Sequence, residues 1–261
     1  MIVKARRSST SSEVAWWAVL ATVLLAIGVL FFYRNEAGEL PYRAIFGRII
    51  DGRSQSQPWH QMAILQTGAV VVASVILSLG LGLVIALMQL TNSVVLRFLG
   101  RYYIELIRGI PIYVMLLFVY FGVRMLLKDA VPLTAFQCAF LALGASYAAY
   151  MAEVIRAGIQ AIPPEEIEAA SLEGNRVQVL FHVVLPQALR LILPALANEC
   201  IALTKDSALV GAVTILDITR SAQLYATTTF QYFETFSALA LIYLLLSLIL
   251  SRAQRSLEAV V

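Results

Sequence analysis

The chain has 261 residues, 60% of them hydrophobic and 13% charged, with a formal net charge of +3 and a mean hydropathy of +0.82. A soluble domain carries about one quarter charged residues, so the composition excludes one and points to an all-α integral membrane protein. The small net charge gives no basis for nucleic-acid binding, and two cysteines, Cys138 and Cys200, both in apolar segments, are too few and too far apart for a disulfide framework or a cysteine metal site.

Six stretches approach the length of about 20 apolar residues that a spanning helix needs. They are roughly 14–33, 62–91, 109–127, 133–158, 188–216 and 235–252. The first follows the basic start "MIVKARR". No small-x-small cleavage site follows "VLLAIGVLFFYRNE", so a retained anchor is expected rather than a removed signal peptide. A polar outer loop then runs to residue 61. In the second span, "LSLGLGLVIAL" with Ser78, Gly80 and Gly82 reads as close helix packing.

Basic residues set the orientation. Lys4, Arg6 and Arg7 mark an inner N-terminus, Arg97 and Arg101 a second inner loop, Arg156, Arg176 and Arg190 a third, and Arg252 and Arg255 an inner C-terminus. Both termini are therefore expected in the cytoplasm. The outer loops hold Arg34, Arg43, Arg48, Arg53, Arg124, Lys128 and Arg220, with Glu36, Glu39 and Asp51 offsetting part of the first.

Ionisable groups within spans are costly and face a cavity or a partner. Glu105, Arg108 and Pro111 open the third span and read as gate or packing residues. Glu153 near the inner end of the fourth reads either as a gate residue or as a helix-end carboxylate paired with Arg156. In the fifth span Pro194 permits a kink. Asn198, Glu199, Thr204, Lys205, Asp206 and Ser207 follow within a few turns. They read either as internal Lys–Asp or Glu–Lys pairing or as a pore lining that meets a zwitterion, with carboxylate for ammonium and lysine for carboxylate. The isolated His60 and His182 read as interfacial or surface residues.

Between the fourth and fifth spans lies "PPEEIEAASLEGNR", residues 163–176. Prolines suit the first turn of a helix, glutamates suit its positive end, and Gly174 suits its left-handed stop. About ten residues cannot span a bilayer, so a short cytoplasmic helix is expected. A second run, "RVQVLFHVVLP", should follow until Pro186 breaks it. The pair is either an ordinary loop or a docking knob presenting Ile167, Ala170 and Ser171. The three lysines, Lys4, Lys128 and Lys205, are followed by Ala, Asp and Asp, so none fits the G-x-x-x-x-G-K-[ST] phosphate loop.

"EAASLEG", Glu168 to Gly174, followed by "VVLPQAL", resembles the EAA motif of permease subunits of bacterial ABC importers. "ELIRGIPIYVMLLFVYFG" from Glu105, "AEVIRAGIQAIP" from Ala152 and "LPALANECIALTKDSALVGAVTILDITRSAQ" from Leu193 resemble the polar amino acid branch of that family. The resemblance covers roughly residues 62–255. It implies a type I importer transmembrane domain with a five-helix core, to which residues 1–61 add a span and a loop. Glu168, Ala169, Ala170, Ser171, Gly174 and Arg176, in the loop 163–184, would couple to a separate ATPase that holds ATP and Mg. The chain would carry no cofactor of its own. Its partners would be ATPase subunits, an identical or paralogous second permease, a substrate-binding protein and an amino acid, in the bacterial inner membrane. A permease for another small polar solute, or a secondary transporter, is the alternative.

Overall fold

The computed structural model describes residues 16–30, 41–52, 62–128, 130–173 and 175–258, all helical or in short connections. Lys4, Arg6, Arg7, Arg34, Glu36, Glu39, Arg53, His60 and Gly174 lie outside the described residues. The helices are α1 Trp16–Leu30, α2 Pro41–Asp51, α3 Ala63–Leu90, α4 Val94–Arg108, α5 Ile112–Leu127, α6 Ala135–Gln160, α7 Pro164–Glu173, α8 Arg176–Val179, α9 Leu185–Asp206, α10 Ile218–Thr229 and α11 Tyr232–Glu258. Two compact units form, one of Met1–Leu65 with Leu216–Leu250 and one of Gln66–Ile215 with Ser251–Val261.

Among the described residues, four helical segments are long and apolar enough to cross a membrane: Ala63–Leu90, Ala135–Gln160, Leu180–Val213 and Tyr232–Ser256. Helices α4 and α5 make a fifth only as a pair, because they meet at a 99° bend. The six spans read from hydropathy thus become four long helices, one bent pair and the shorter α1. The bend has a local cause. Gly109 caps α4 with its amide donated to the Glu105 carbonyl, and Pro111 disfavours a helical conformation at Ile110 while starting α5.

In the first unit, α2 lies within the segment expected as a polar outer loop. Tyr42, Ile45, Phe46 and Ile49 recur at helical spacing and are buried against Ile218 and Ala222 of α10 and Ala238 and Leu239 of α11. Gly52, at φ 69°, ends α2 and donates its amide to the Arg48 carbonyl at 2.8 Å. Asp217 caps α10, accepting amides from Thr219 at 3.1 Å and Arg220 at 2.9 Å.

In the second unit α6 is the central helix. Thr134 and Gln137 cap it reciprocally. Ala139, Ala142, Gly144, Ala148, Ala149 and Ala152 make its buried surface small enough for neighbours to come close. A Cβ added at Gly82 of α3 would sit 3.1 Å from the Ala148 carbonyl oxygen and from Met151 Cβ. Gly80 has no atom within 4 Å of such a Cβ, so of the two glycines only Gly82 serves the expected close packing.

Pro186 does not break the chain as expected. A π-helical stretch, Leu180–Val184, joins α8 to α9 without interruption. The wider turn moves carbonyls away from the proline ring, and the missing N–H leaves the bond that the π turn has already given up. Helix α9 also runs on through Pro194 and closes in 3-10 turns, Ser207–Val213.

Candidate functional site

The second unit carries two polar clusters linked by two tyrosines. The first surrounds a cavity of about 540 Å³ lined by Gln89, Arg101, Glu105, Arg108, Glu153 and Arg156, with Ile104 and Gly109. Arg108 Nη1 donates to Glu153 Oε2, and Arg156 Nη2 donates to Glu153 Oε1 at 3.5 Å. Glu153 is therefore shared between two arginines, one from the bent pair and one from its own helix a turn away. The expected Arg156 partner is present, and Arg108 pairs across helices with Glu153. Glu105 lines the same cavity, while Pro111 stands at the bend and starts α5.

The second cluster lies on the end of α9. Asn198 and Lys205 are exposed, Glu199, Thr204 and Asp206 half-buried and Ser207 buried. Thr204 and Ser207 spend their hydroxyls on the helix itself, donating to the Cys200 carbonyl at 2.8 Å and the Thr204 carbonyl at 2.7 Å. Asp206 accepts the Tyr147 hydroxyl at 2.8 Å. Among the described residues Lys205 forms no ion pair with Asp206 or Glu199, which corrects the internal pairing considered from sequence. Neighbouring residues on a helix point about 100° apart, so consecutive Lys and Asp do not face each other.

The link is Tyr147–Tyr150. Their ring centroids are 5.8 Å apart, and the Arg108 guanidinium carbon lies 5.2 Å from the Tyr150 ring centroid. Asp206, Tyr147, Tyr150, Arg108, Glu153 and Arg156 thus form one connected series across α9, α6 and α4. Sequence reasoning missed the tyrosines, although a phenol within an apolar span needs a hydrogen-bond partner and signals one.

The short acidic helix appears as expected at Pro164–Glu173, with Glu165 and Glu166 in its first turn. Its orientation differs from the expected one. Ile167 and Ala170 pack inward against the core formed by Ile155, Ile162, Val179, Val184 and Ile192, because they are the positions whose burial anchors the helix. The outward face is Glu165, Glu168, Ala169 and Leu172, the last 88% exposed. Ser171 is exposed and returns its hydroxyl to the Ile167 carbonyl at 2.7 Å. Gln187 of α9 donates to Glu166 at 2.7 Å, tying α7 to the long helix. Arg176 begins α8. Among the described residues no three His, Cys, Asp or Glu side chains converge to hold a metal ion.

Comparison with known proteins places this architecture. Residues 78–261 match the family described as the binding-protein-dependent transport system inner membrane component. The arginine ABC transporter permease protein ArtQ of Haemophilus influenzae is 36% identical over 204 residues, 75% of this chain and 90% of that protein. The octopine transport system permease protein OccM of Rhizobium radiobacter is 34% identical over 199 residues, 72% of this chain and 79% of that protein. A crystal structure of an amino acid ABC transporter with histidines aligns at a TM-score of 0.74 and 32% identity, covering 85% of this chain and 99% of that chain. The inward-facing MetNI methionine ABC transporter aligns at a TM-score of 0.66 and 20% identity over 85% of this chain and 98% of that one, a likeness of fold. The fold is that of a type I ABC importer transmembrane domain. Since the family match spans most of its length, the chain belongs to the inner membrane components of binding-protein-dependent transport systems, which are transport subunits and not catalytic enzymes.

Proposed function

We propose that this chain is the pore-forming permease of an ATP-driven amino acid importer and that α7 is its coupling helix. One observation carries the mechanical reading. From Arg176 to Asp206 the backbone is helical without a break, a rod of about 45 Å at 1.5 Å per residue. One end adjoins α7 and the other holds the polar residues 198–207. The Glu166–Gln187 hydrogen bond and the inward packing of Ile167 and Ala170 fasten α7 to that rod. A displacement of α7 therefore reaches Asp206 as a rigid-body movement rather than being absorbed at Pro186.

In this reading both termini are cytoplasmic, and a separate ATPase, holding ATP and Mg, receives Glu168, Ala169, Leu172 and the neighbouring Ser171, Gly174 and Arg176. Ala170 contributes from beneath by holding the helix in place. A second permease, identical or paralogous, completes the pore, and a binding protein delivers the amino acid. ATP binding draws the ATPases together, and the coupling helix and the rod move with them. ATP supplies the differential affinity for the two states. Glu199, Asn198, Lys205 and Asp206 meet the zwitterion, and the carboxylates favour a neutral or cationic side chain. Glu105, Arg108, Pro111 and Glu153 form a gate whose Arg–Glu–Arg contact must loosen for passage.

The test is uptake and ATP hydrolysis in vesicles containing the permease, its ATPase and its binding protein. Leu172→Asp or Glu168→Lys should leave the chain inserted and abolish coupled uptake. Normal uptake by both variants would refute the assignment of α7. A substrate panel with Glu199→Gln tests the pocket, and an unchanged affinity and selectivity profile would remove Glu199 from it.

A further inference from the structure

Helix α4 is peculiar for a membrane protein, since it is 15 residues long and stands at 99° to the helix that follows it. Both features prevent it from spanning alone. It has three sectors. Gly100 and Ile104 are buried, with Tyr103 and Ile107 packed against the bundle, and the Tyr103 hydroxyl donates to the Ala145 carbonyl at 2.8 Å. Val95, Phe98, Leu99, Tyr102 and Leu106, at spacings of three and four, form a second apolar face that is 47–66% exposed. The third sector, between the apolar face and the buried one, carries Arg97 and Arg101, one turn apart and both exposed. Neither guanidinium makes a hydrogen bond or ion pair with a described residue. Val94, Arg97, Phe98 and Arg101 line an open cleft of about 320 Å³.

An apolar face bordered by arginines on a helix too short to span is the pattern of a helix lying in the bilayer interface. The stacked Phe98 and Tyr102 rings, 6.1 Å apart, suit the headgroup level, and arginines there extend toward phosphate. A neutral lipid offers no net counter-charge to Arg97, nor to Arg101 beyond the carboxylates of the polar cavity that it also lines, whereas an anionic lipid supplies one to both. We propose that the Arg97–Phe98–Arg101 cleft binds the headgroup of an anionic phospholipid and that α4 seats the permease on that leaflet. The proposal rests on the membrane-spanning reading of the chain and not on its cargo.

The experiment uses the permease–ATPase complex in nanodiscs. A Phe98→Trp variant reports on the cleft through quenching by brominated lipid, read as the difference from the unsubstituted complex. Brominated phosphatidylglycerol should quench it with an apparent affinity on the order of tenfold above that of brominated phosphatidylcholine. Adding Arg97→Gln and Arg101→Gln should bring the two lipids level. Native mass spectrometry of the unsubstituted complex, exchanged into an equal mixture of both lipids, reads the same preference if the tryptophan variant does not assemble. Equal binding of the two lipids, or a preference that survives both glutamine substitutions, overturns the proposal. So does a tryptophan that neither lipid reaches, because another protein chain then covers the face. A preference abolished by excess inorganic phosphate indicates a free-anion site and also overturns it, whereas one that persists supports the lipid. Normal uptake by Leu172→Asp and Glu168→Lys, with the lipid preference intact, counts against the coupling reading alone.

Discussion

Gly158 offers the sharpest test of how α6 and α9 are packed. A Cβ added there would lie well inside van der Waals contact with Ile192 Cγ1 and 3.0 Å from Ile192 Cδ1. Ile192 is 5% exposed in the core cluster, so it has little room to turn away. Overpacking of this kind costs about 1–3 kcal/mol, and the better helix propensity of alanine returns up to about 1 kcal/mol. So close a contact puts the overpacking cost at its upper end, and Gly158→Ala should therefore lose about 2 kcal/mol in reversible unfolding from lipid–detergent micelles. Ile192→Ala removes both clashing atoms and by itself costs about 2–5 kcal/mol through the cavity it leaves. In the double variant the new methyl partly fills that cavity. The combined loss should fall short of the sum by at least about 1 kcal/mol. Gly80→Ala, with nothing within 4 Å, is the control and should cost nothing. If Gly158→Ala unfolds like the parent, or if the two losses simply add, the α6–α9 packing described above is wrong.

Three further outcomes follow from particular contacts. Burial pushes the Asp217 carboxyl up to about 6 against the two amides that it accepts. Its stabilising contribution is complete below its ordinary value of 3.8 and is lost as pH rises through about 6. Asp217→Asn should flatten that dependence in a thermal melt against pH and be no less stable at pH 7, whereas Asp217→Ala should lose about 1 kcal/mol with the cap; an unchanged pH profile in the asparagine variant would count against the burial argument. Gln187→Ala should keep ATPase association, read by co-purification, and lower uptake per ATP hydrolysed, because it cuts the tie from α7 to the rod; unaltered stoichiometry would dismiss that tie. Tyr147→Phe removes the phenol that Asp206 accepts and should change substrate affinity several-fold with little change in assembly. Equal affinity in a binding titration would separate the two polar clusters.

The long apolar runs decided the helices before any packing was considered, since backbone groups in lipid must bond within their own segment. The start of α7 at Pro164 was likewise legible, because prolines and glutamates declare a helix N-terminus locally. What remained hidden depended on partners distant in sequence. Helix α4 reads as a loop by hydropathy because its three sectors cancel in a running average, and its helical character shows only in the periodicity of Gly100, Ile104 and Ile107. The direction of Ile167 and Ala170 was settled by a core built from α6, α8 and α9, which no local pattern contains. Pro186 looked like a stop, yet π-helical hydrogen bonding upstream accommodated it. The amino-acid order by itself determined that this is a membrane-spanning helical chain with a short charged helix between two of its apolar segments, since those are properties of single segments. Only the tertiary structure decided that Glu153 is held by Arg108, 45 residues away, and that Asp206 is satisfied by Tyr147, 59 residues away. Carboxylates and phenols are held by whichever partner the packing of helices brings within hydrogen-bond reach, and that partner is distant in sequence.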